Sequence, residues 1–504
     1  MGQGRCRSTP LPVAKAVHWG AGPRLALGVL LAALGAALFV LAFPPYRLWP
    51  LAFVWVVPVM ISVHRVMPSR LSGLAMGLGV GGFFWRYFQG LFPGLPLMQW
   101  LPLLIGAVAA LIAARDRAFH ARTNYRWFVL HGAVVWVGIE MVRGVIPVVG
   151  TWGFAAYTLY GQPWLIQPVS HFSIYGMSLV ILLANFAIAL WALALVDRRW
   201  RFEEAPGPID QGRALRHLAV TSGVLAGWAA LSLALYRAPE GDLMVAAIQP
   251  GTHIAPGASE ESVTRGLELM STLTREATEA GARFVVWPEG FLPFDPQEQE
   301  TTFFVDLATG SGAYLVLGYG VRTEAGLRNE AAILSPGGDF LGVFGKDHPV
   351  VFAGETSLTR GTYPAFESSI GRLGAIICYD LDFTDTTRKV ARNGAQLVGV
   401  PSFDWPAIAH KHYSHVVFRA VENRVSMVKA DVAFDSAIID PWGNIIRRFV
   451  SVEPSQAVLV GPVPLGRPWT LSLVVGDWVG WLCMAGMVAF LGIDLRTASR
   501  ARRN

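Results

Sequence analysis

"GAIICYDLDF" (374–383) decides the reading of this chain. Four small or apolar residues run into Cys378, and Tyr379 and Asp380 follow at once. The chain has three cysteines in 504 residues. Cys6, Cys378 and Cys483 are too few and too scattered for a disulfide framework or a zinc site. Cys6 lies in a basic tail and Cys483 in an apolar run; only Cys378 stands at the end of a predicted strand, beside an acid. A lone cysteine in an apolar strand is ordinarily an inert core residue. Its meaning therefore depends on what the rest of the chain brings to it.

The segments around Cys378 alternate between two patterns. "LMVAAIQPG" (243–251), "ARFVVWPEG" (282–290), "AYLVLGYGV" (313–321), "LGAIICYD" (373–380) and "AQLVGVPS" (395–402) read as strands. "NEAAILSPGGDFLGVFGK" (329–346) reads as two strands about a Pro-Gly-Gly turn. "ESVTRGLELMSTLTREATEAG" (261–281) reads as a helix closed by a glycine, and a helix carrying Arg388 and Arg392 follows Cys378. This alternation predicts an α/β fold with a largely buried sheet, whose reactive groups gather at the carboxyl ends of strands.

The rest of the chain is of another kind. Overall it is 53% hydrophobic and only 15% charged, against about 25% charged for a soluble protein. Apolar runs of spanning length fall at about 25–43, 48–66, 71–92, 97–114, 127–149, 171–196, 216–236 and 470–493. The first follows a long basic tail without a clear cleavage site, so it reads as a span and not as a signal peptide. Alternate loops are basic: Arg65 and Arg70; Arg115, Arg117, Arg122 and Arg126; Arg198, Arg199, Arg201, Arg213 and Arg216. Both termini are basic too. Positive charge marks the cytoplasmic side. The net charge of +6 is thus a topology signal, and nucleic-acid binding is not expected. The division expected is residues 1–238 with seven spans, an exported α/β domain at 239–468, and a last span with a cytoplasmic tail at 469–504.

Three reactive residues stand at predicted strand ends: Glu289, Lys346 and Cys378. A thiol becomes a nucleophile when a base takes its proton, and a nearby carboxylate can serve. Acyl transfer passes through an oxyanion that an ammonium can stabilise. No Ser–His–Asp pattern of the nucleophile-elbow type is present. His348, His410, His412 and His415 lack a matching ligand set in the sequence, so neither metal nor cofactor is expected. Glu140 and Arg143 are spaced for either an ion pair on one helix face or a substrate contact.

"VVWPEG", "GKDHPVVFAGE" and "IICYD" resemble the three catalytic segments of the nitrilase (carbon–nitrogen hydrolase) superfamily, which carries a Glu–Lys–Cys triad on an αββα sandwich. With its membrane spans the layout resembles the apolipoprotein N-acyltransferase family. "FPPYRLWPLAF" (43–53), "WVGIEMVRG" (136–144) and "TLSLVVGDW" (470–478) are similar to further segments of that family. The resemblance implies Cys378 as nucleophile, Glu289 as general base and Lys346 at the oxyanion. Glu355, Tyr379 and Asp380 would support them. Asp380 stands where the family usually has Glu. "GVPSFDWPAI" (399–408) and "DVAFDSA" (431–437) depart from the family pattern at segments that touch the substrate pocket. The implied reaction moves an acyl chain from a membrane phospholipid, through a thioester, to the N-terminal amine of a diacylglyceryl-cysteine apolipoprotein. The implied setting is the bacterial inner membrane, with a monomeric enzyme and an extracytoplasmic catalytic domain. Two readings compete: a membrane-tethered amidase acting on a C–N substrate, and a catalytically idle lipid-binding protein.

Overall fold

The computed structural model describes residues 15–202 and 204–503; Cys6, Arg5 and Arg7 lie outside them. Among the described residues, six helical segments are long and apolar enough to cross a membrane: Ala21–Ala42, Trp49–Val66, Pro96–Arg122, Val169–Arg199, Gln211–Leu235 and Trp478–Arg503. The expected spans at 71–92 and 127–149 form shorter helices, Gly73–Tyr87 and Phe128–Gly144, of 15 and 17 residues. At 1.5 Å per residue these reach roughly 23 and 26 Å, short of the ~30 Å hydrocarbon core. Apolar composition extends beyond each helix, but Gly90, Pro93 and Gly94 follow the first and Pro147 the second. The first is also a close-packing helix. A Cβ on Gly77 would lie 2.7 Å from the Gly106 carbonyl oxygen of the neighbouring helix, so small residues here let two backbones touch.

Two short strands, β1 (Lys15–Val17) and β2 (Trp200–Phe202), pair in parallel. Beyond the helix Gln211–Leu235 the chain builds two facing sheets. The first contains β3 (Leu243–Gln249), β4 (Phe284–Val286), β5 (Tyr314–Thr323), β6 (Gly326–Leu334) and β7 (Phe340–Gly345). The second contains β8 (Leu373–Ala375), β9 (Leu397–Ser402), β10 (Ser426–Asp431), β11 (Asp435–Ile439) and β12 (Ile445–Val450). The last strand, β13 (Ala457–Val463), returns to the first sheet beside β3. The orders are β13-β3-β4-β5-β6-β7 and β12-β11-β10-β9-β8. The parallel set β3-β4-β5 lies at the centre of the first sheet with antiparallel strands on both sides, whereas the parallel set β8-β9-β10 forms one edge of the second sheet and the antiparallel strands the other. Gly399 of β9 packs on Val286 and Val316 of the other sheet.

Helices cover both outer faces and make an αββα sandwich. Glu260–Glu279 and Thr301–Ser311 share an apolar cluster with the first sheet. Ser259 caps Glu260–Glu279, accepting the amide of Ser262, and Gly281 follows its end at φ +93°, which agrees with the predicted glycine stop. Thr384–Arg392 and Tyr413–Asn423 lie on the second sheet's side. A single apolar cluster joins this sheet to the membrane helices, running from Phe39 and Phe83 through Trp152 to Cys378 and Val400. Polar contacts cross the same boundary. The helix Val169–Arg199 breaks at Ser173, and the amide of Ile174 donates to Glu422 at 2.8 Å. Arg388 pairs with Asp477 at 2.6 Å.

Candidate functional site

Glu289, Lys346 and Cys378 all follow strands, and the sandwich brings their ends to one seam. Glu289 lies just beyond β4. Its approach to β5 requires Gly318, where a Cβ would stand 2.2 Å from the Pro288 carbonyl oxygen. Lys346 directly follows β7, and its amide donates to the Asn329 carbonyl at 2.9 Å. The strand leading to Cys378 is shorter than its apolar run suggests. β8 stops at Ala375, and Cys378 opens a 3-10 turn, Cys378–Asp382, at φ +44°. A non-glycine residue held there is strained, and such strain concentrates at functional positions.

The Lys346 ammonium sits between two carboxylates, 2.8 Å from Glu289 Oε1 and 2.8 Å from Glu355 Oε2. Asn329, which the sequence reading did not single out, donates to Glu289 at 2.7 Å and to Glu355 at 2.5 Å. Burial raises the Glu289 carboxyl above its ordinary range; Lys346 opposes this, and the Glu355 charge adds to it. Burial works against the charge on Lys346, but Glu289 and Glu355 outweigh it and hold its pKa well above normal. The Cys378 thiol is pushed well up by burial and by the charges of Glu289 and Asp404, while Lys346 and the Phe403 amide pull it down. A buried thiol of this kind stays protonated until a base takes the proton.

Tyr379 and Asp380 do structural tasks here. Tyr379 donates its hydroxyl to the Val148 carbonyl at 2.7 Å, tying the cysteine turn to the membrane region. Asp380 accepts the amides of Ile377 at 2.9 Å and His348 at 2.7 Å, stapling the cysteine turn to the lysine loop. Glu140 and Arg143 each have partners of their own. Glu140 accepts the Ala155 amide at 3.0 Å, and Arg143 donates to the Trp152 carbonyl and stands over the rings of Phe84 and Phe154.

A second polar group lies on the other side of Cys378. Asp404, two residues past β9, comes within 3.7 Å of the sulfur. Lys429 of β10 holds it at 2.8 Å and His412 at 2.8 Å. Asp404 lies in the departing segment "GVPSFDWPAI", at a strand's carboxyl end, and that position was the available signal. Lys429 had none, because it sits inside an apolar strand.

The cysteine turn rests on the loop 145–153 of the membrane region. Thr151 donates its amide to the Asp382 carbonyl at 2.9 Å, and Trp152 donates to the Asp382 carboxylate at 2.6 Å. Gly150 has φ +53°, and a Cβ there would stand 2.6 Å from the Asp382 carbonyl oxygen. Gly150→Ala should therefore push this loop off the turn. The expected cost is about 1–3 kcal/mol, read as a lower thermal midpoint in detergent.

A small pocket of about 20 Å³ lies in front of Cys378, and Leu91, Phe92, Val149 and Trp152 of the membrane region form part of its wall. A larger apolar cavity of about 310 Å³ lies among the membrane helices, lined by Val80, Leu104, Ile105 and Trp136 and reaching Glu140 and Arg143.

An αββα sandwich with Glu, Lys and Cys gathered at its seam is the architecture of the carbon–nitrogen hydrolases, and the family model described as "Carbon-nitrogen hydrolase" matches residues 244–466. The membrane part narrows the class. A second model, "Apolipoprotein N-acyltransferase N-terminal domain", matches residues 35–187. An apolipoprotein N-acyltransferase of Geobacter metallireducens is 27% identical over 93% of this chain and 96% of that protein. One of Gloeobacter violaceus is 26% identical over 94% of this chain and 95% of that protein. A nitrilase of Pyrococcus abyssi is 29% identical over 32% of this chain and 65% of that protein. The chain is thus similar to apolipoprotein N-acyltransferases along more than nine-tenths of its length, and it is a multi-pass membrane protein.

Proposed function

We propose that this protein moves an acyl chain from a membrane phospholipid, through a thioester on Cys378, to the N-terminal amine of a diacylglyceryl-cysteine apolipoprotein. The observation that carries this reading is the pocket before Cys378, part of whose wall is apolar and drawn from the membrane region. A small polar C–N substrate has no use for such a wall. An acyl chain does, and the apolar cavity at Glu140 and Arg143 lies one contact from Trp152 of the same wall.

The steps follow from the geometry. Glu289 takes the thiol proton as Sγ attacks the ester carbonyl carbon, and Lys346 faces the oxyanion that forms. Collapse breaks the ester C–O bond. The leaving alkoxide takes the proton from Glu289 and departs as a lysophospholipid. The α-amine then attacks the thioester, Glu289 takes its proton, the C–S bond breaks, and Glu289 returns that proton to the departing sulfur, restoring the Cys378 thiol. Asn329 and Glu355 hold Glu289 and Lys346 in register, and the apolar part of the pocket wall disfavours bulk water beside the thioester.

The test is intact-mass spectrometry of the full-length protein after incubation with one defined phospholipid. The expected result is a single acyl adduct, discharged by a diacylglyceryl lipopeptide as N-acyl product. Release of free fatty acid without transfer would favour a hydrolase instead.

The six long apolar helices and two shorter ones, with the loop charges, support eight crossings and both termini in the cytoplasm. On this proposal residues 239–468 lie outside the inner membrane of a bacterial cell, in a monomeric protein. Reporter fusions at residue 205 should read cytoplasmic and at residue 300 extracytoplasmic; the same side for both would sink this topology.

A further inference from the structure

Behind the cysteine turn is a buried cluster that the proposed reaction leaves unused. Asp382, His412 and His415 are at most 1% exposed, and one carboxylate oxygen and two ring nitrogens lie within 4.8 Å of one another. Asp382 Oδ1 is 3.4 Å from His412 Nε2 and 2.6 Å from His415 Nδ1. Those approaches fall outside hydrogen-bonding geometry. Asp382 Oδ1, His412 Nε2 and both ring nitrogens of His415 therefore make no well-aligned hydrogen bond, and the two rings meet Asp382 by charge and proximity alone. Buried polar atoms without partners are rare, and several converging on one point indicate a ligand that satisfies them together.

We propose that Asp382, His412 and His415 bind one divalent cation of the Zn²⁺ class. Two imidazoles and one carboxylate suit a borderline-soft metal, and the 3.4 Å edge is that of tetrahedral ligands at about 2.0–2.1 Å; the 2.6 Å edge widens on binding. His412 and His415 stand three residues apart at the start of a helix, which puts both on one face.

The surrounding shell fits the same ligand. His412 Nδ1 faces Asp404 at 2.8 and 3.0 Å, an arrangement that keeps a proton on Nδ1, so that a metal would replace only the proton on Nε2. Asp382 turns its other oxygen to Trp152 Nε1 at 2.6 Å. The pocket before Cys378 is also lined by Asp382 and His412, and its roughly 20 Å³ has room for one water as the fourth ligand.

A rival set, Cys378, Asp404 and His412, has its ligand atoms equally close. There the carboxylate is already taken, by His412 and by Lys429 at 2.8 Å. A cation on the first set would tie the cysteine turn to the helix Tyr413–Asn423 and, through Trp152, to the membrane loop. This inference does not depend on the acyltransfer reading.

The test uses the full-length protein in detergent. After chelation and removal of the chelator it is titrated with Zn²⁺ and Co²⁺, with metal content and the visible spectrum as readouts. The expected result is about one equivalent bound, with intense tetrahedral Co²⁺ bands, no thiolate charge-transfer band and an unchanged spectrum in Cys378→Ala. Affinity should fall more than ~10-fold in Asp382→Asn and in His415→Gln. If those variants do not fold, the spectra of the parent protein and Cys378→Ala decide alone. A thiolate band that Cys378→Ala abolishes would move the metal to the rival set. No binding of either metal to the folded protein would leave a buried water as the partner. Either result overturns the proposal.

Discussion

Cys378→Ala protein incubated with a defined phospholipid should carry no acyl adduct, and its transfer activity should drop by on the order of 10⁶-fold, the scale of losing a covalent nucleophile. The loss should be chemical and not a failure to fold. Truncating one small buried side chain costs ~1–3 kcal/mol, and the turn is held by contacts that do not use the sulfur: the Asp380 staple, the Tyr379 bond to Val148 and the amide of Thr151 on Asp382. Cys483→Ala should keep activity. Cys483 lies in the helix Trp478–Arg503, packed against Gly138 of another membrane helix, and has no part in the seam. Cys6→Ala should keep it too. The measurement is intact mass and lipopeptide transfer for all three variants at equal folded concentration. A persistent adduct on Cys378→Ala would remove this residue from the mechanism.

How much of this was legible beforehand depended on how local each signal is. Glu289 and Lys346 could be placed because each ends an apolar run, and a strand's end is written in the residues beside it. Glu355 came from the resemblance, and the structure sets it on Lys346. The turn at Cys378 was hidden. "LGAIICYD" is apolar to the cysteine, so it read as strand throughout, whereas pairing ends when the Ile376 amide bonds to the Gly399 carbonyl and the backbone swings to φ +44° at Cys378. Asp380 was expected as a supporting acid, and how it supports, by holding the cysteine turn to the lysine loop, is a detail that only the fold can assign. Asn329, Lys429 and Asp382 gain their meaning from partners 40, 25 and 230 residues away in the chain. Periodicity reports nothing over such distances. The spans show the opposite weakness. Hydropathy marks eight apolar stretches, but helix length is set by where Gly and Pro stop the ladder, so two of the eight fold short.

Glu289 and Lys346 should separate in a pH-resolved labelling experiment on Cys378. Glu289→Gln keeps the shape and loses the proton acceptor, so acyl-enzyme formation and its discharge should both slow, by about 10²–10⁴-fold. Lys346→Met removes the cation facing each oxyanion and should also impair both steps, by the order of 10²–10³-fold or more. Turnover alone cannot tell these roles apart, but the thiol can. Lys346 pulls the Cys378 pKa down and Glu289 pushes it up. In Lys346→Met the attraction is lost, and whatever negative charge Glu289 and Glu355 keep adds to burial in opposing the thiolate. The iodoacetamide labelling curve should therefore move to higher pH. In Glu289→Gln a repelling charge is gone, so the curve should stay or move to lower pH even as turnover falls. Opposite behaviour of labelling and turnover in that variant marks a base and not a loss of packing, since a loosened site would change access to the sulfur at every pH. If Lys346→Met leaves the curve where it was, the ammonium is not acting on the sulfur, and the assignment of roles among Glu289, Lys346 and Cys378 is wrong at the lysine.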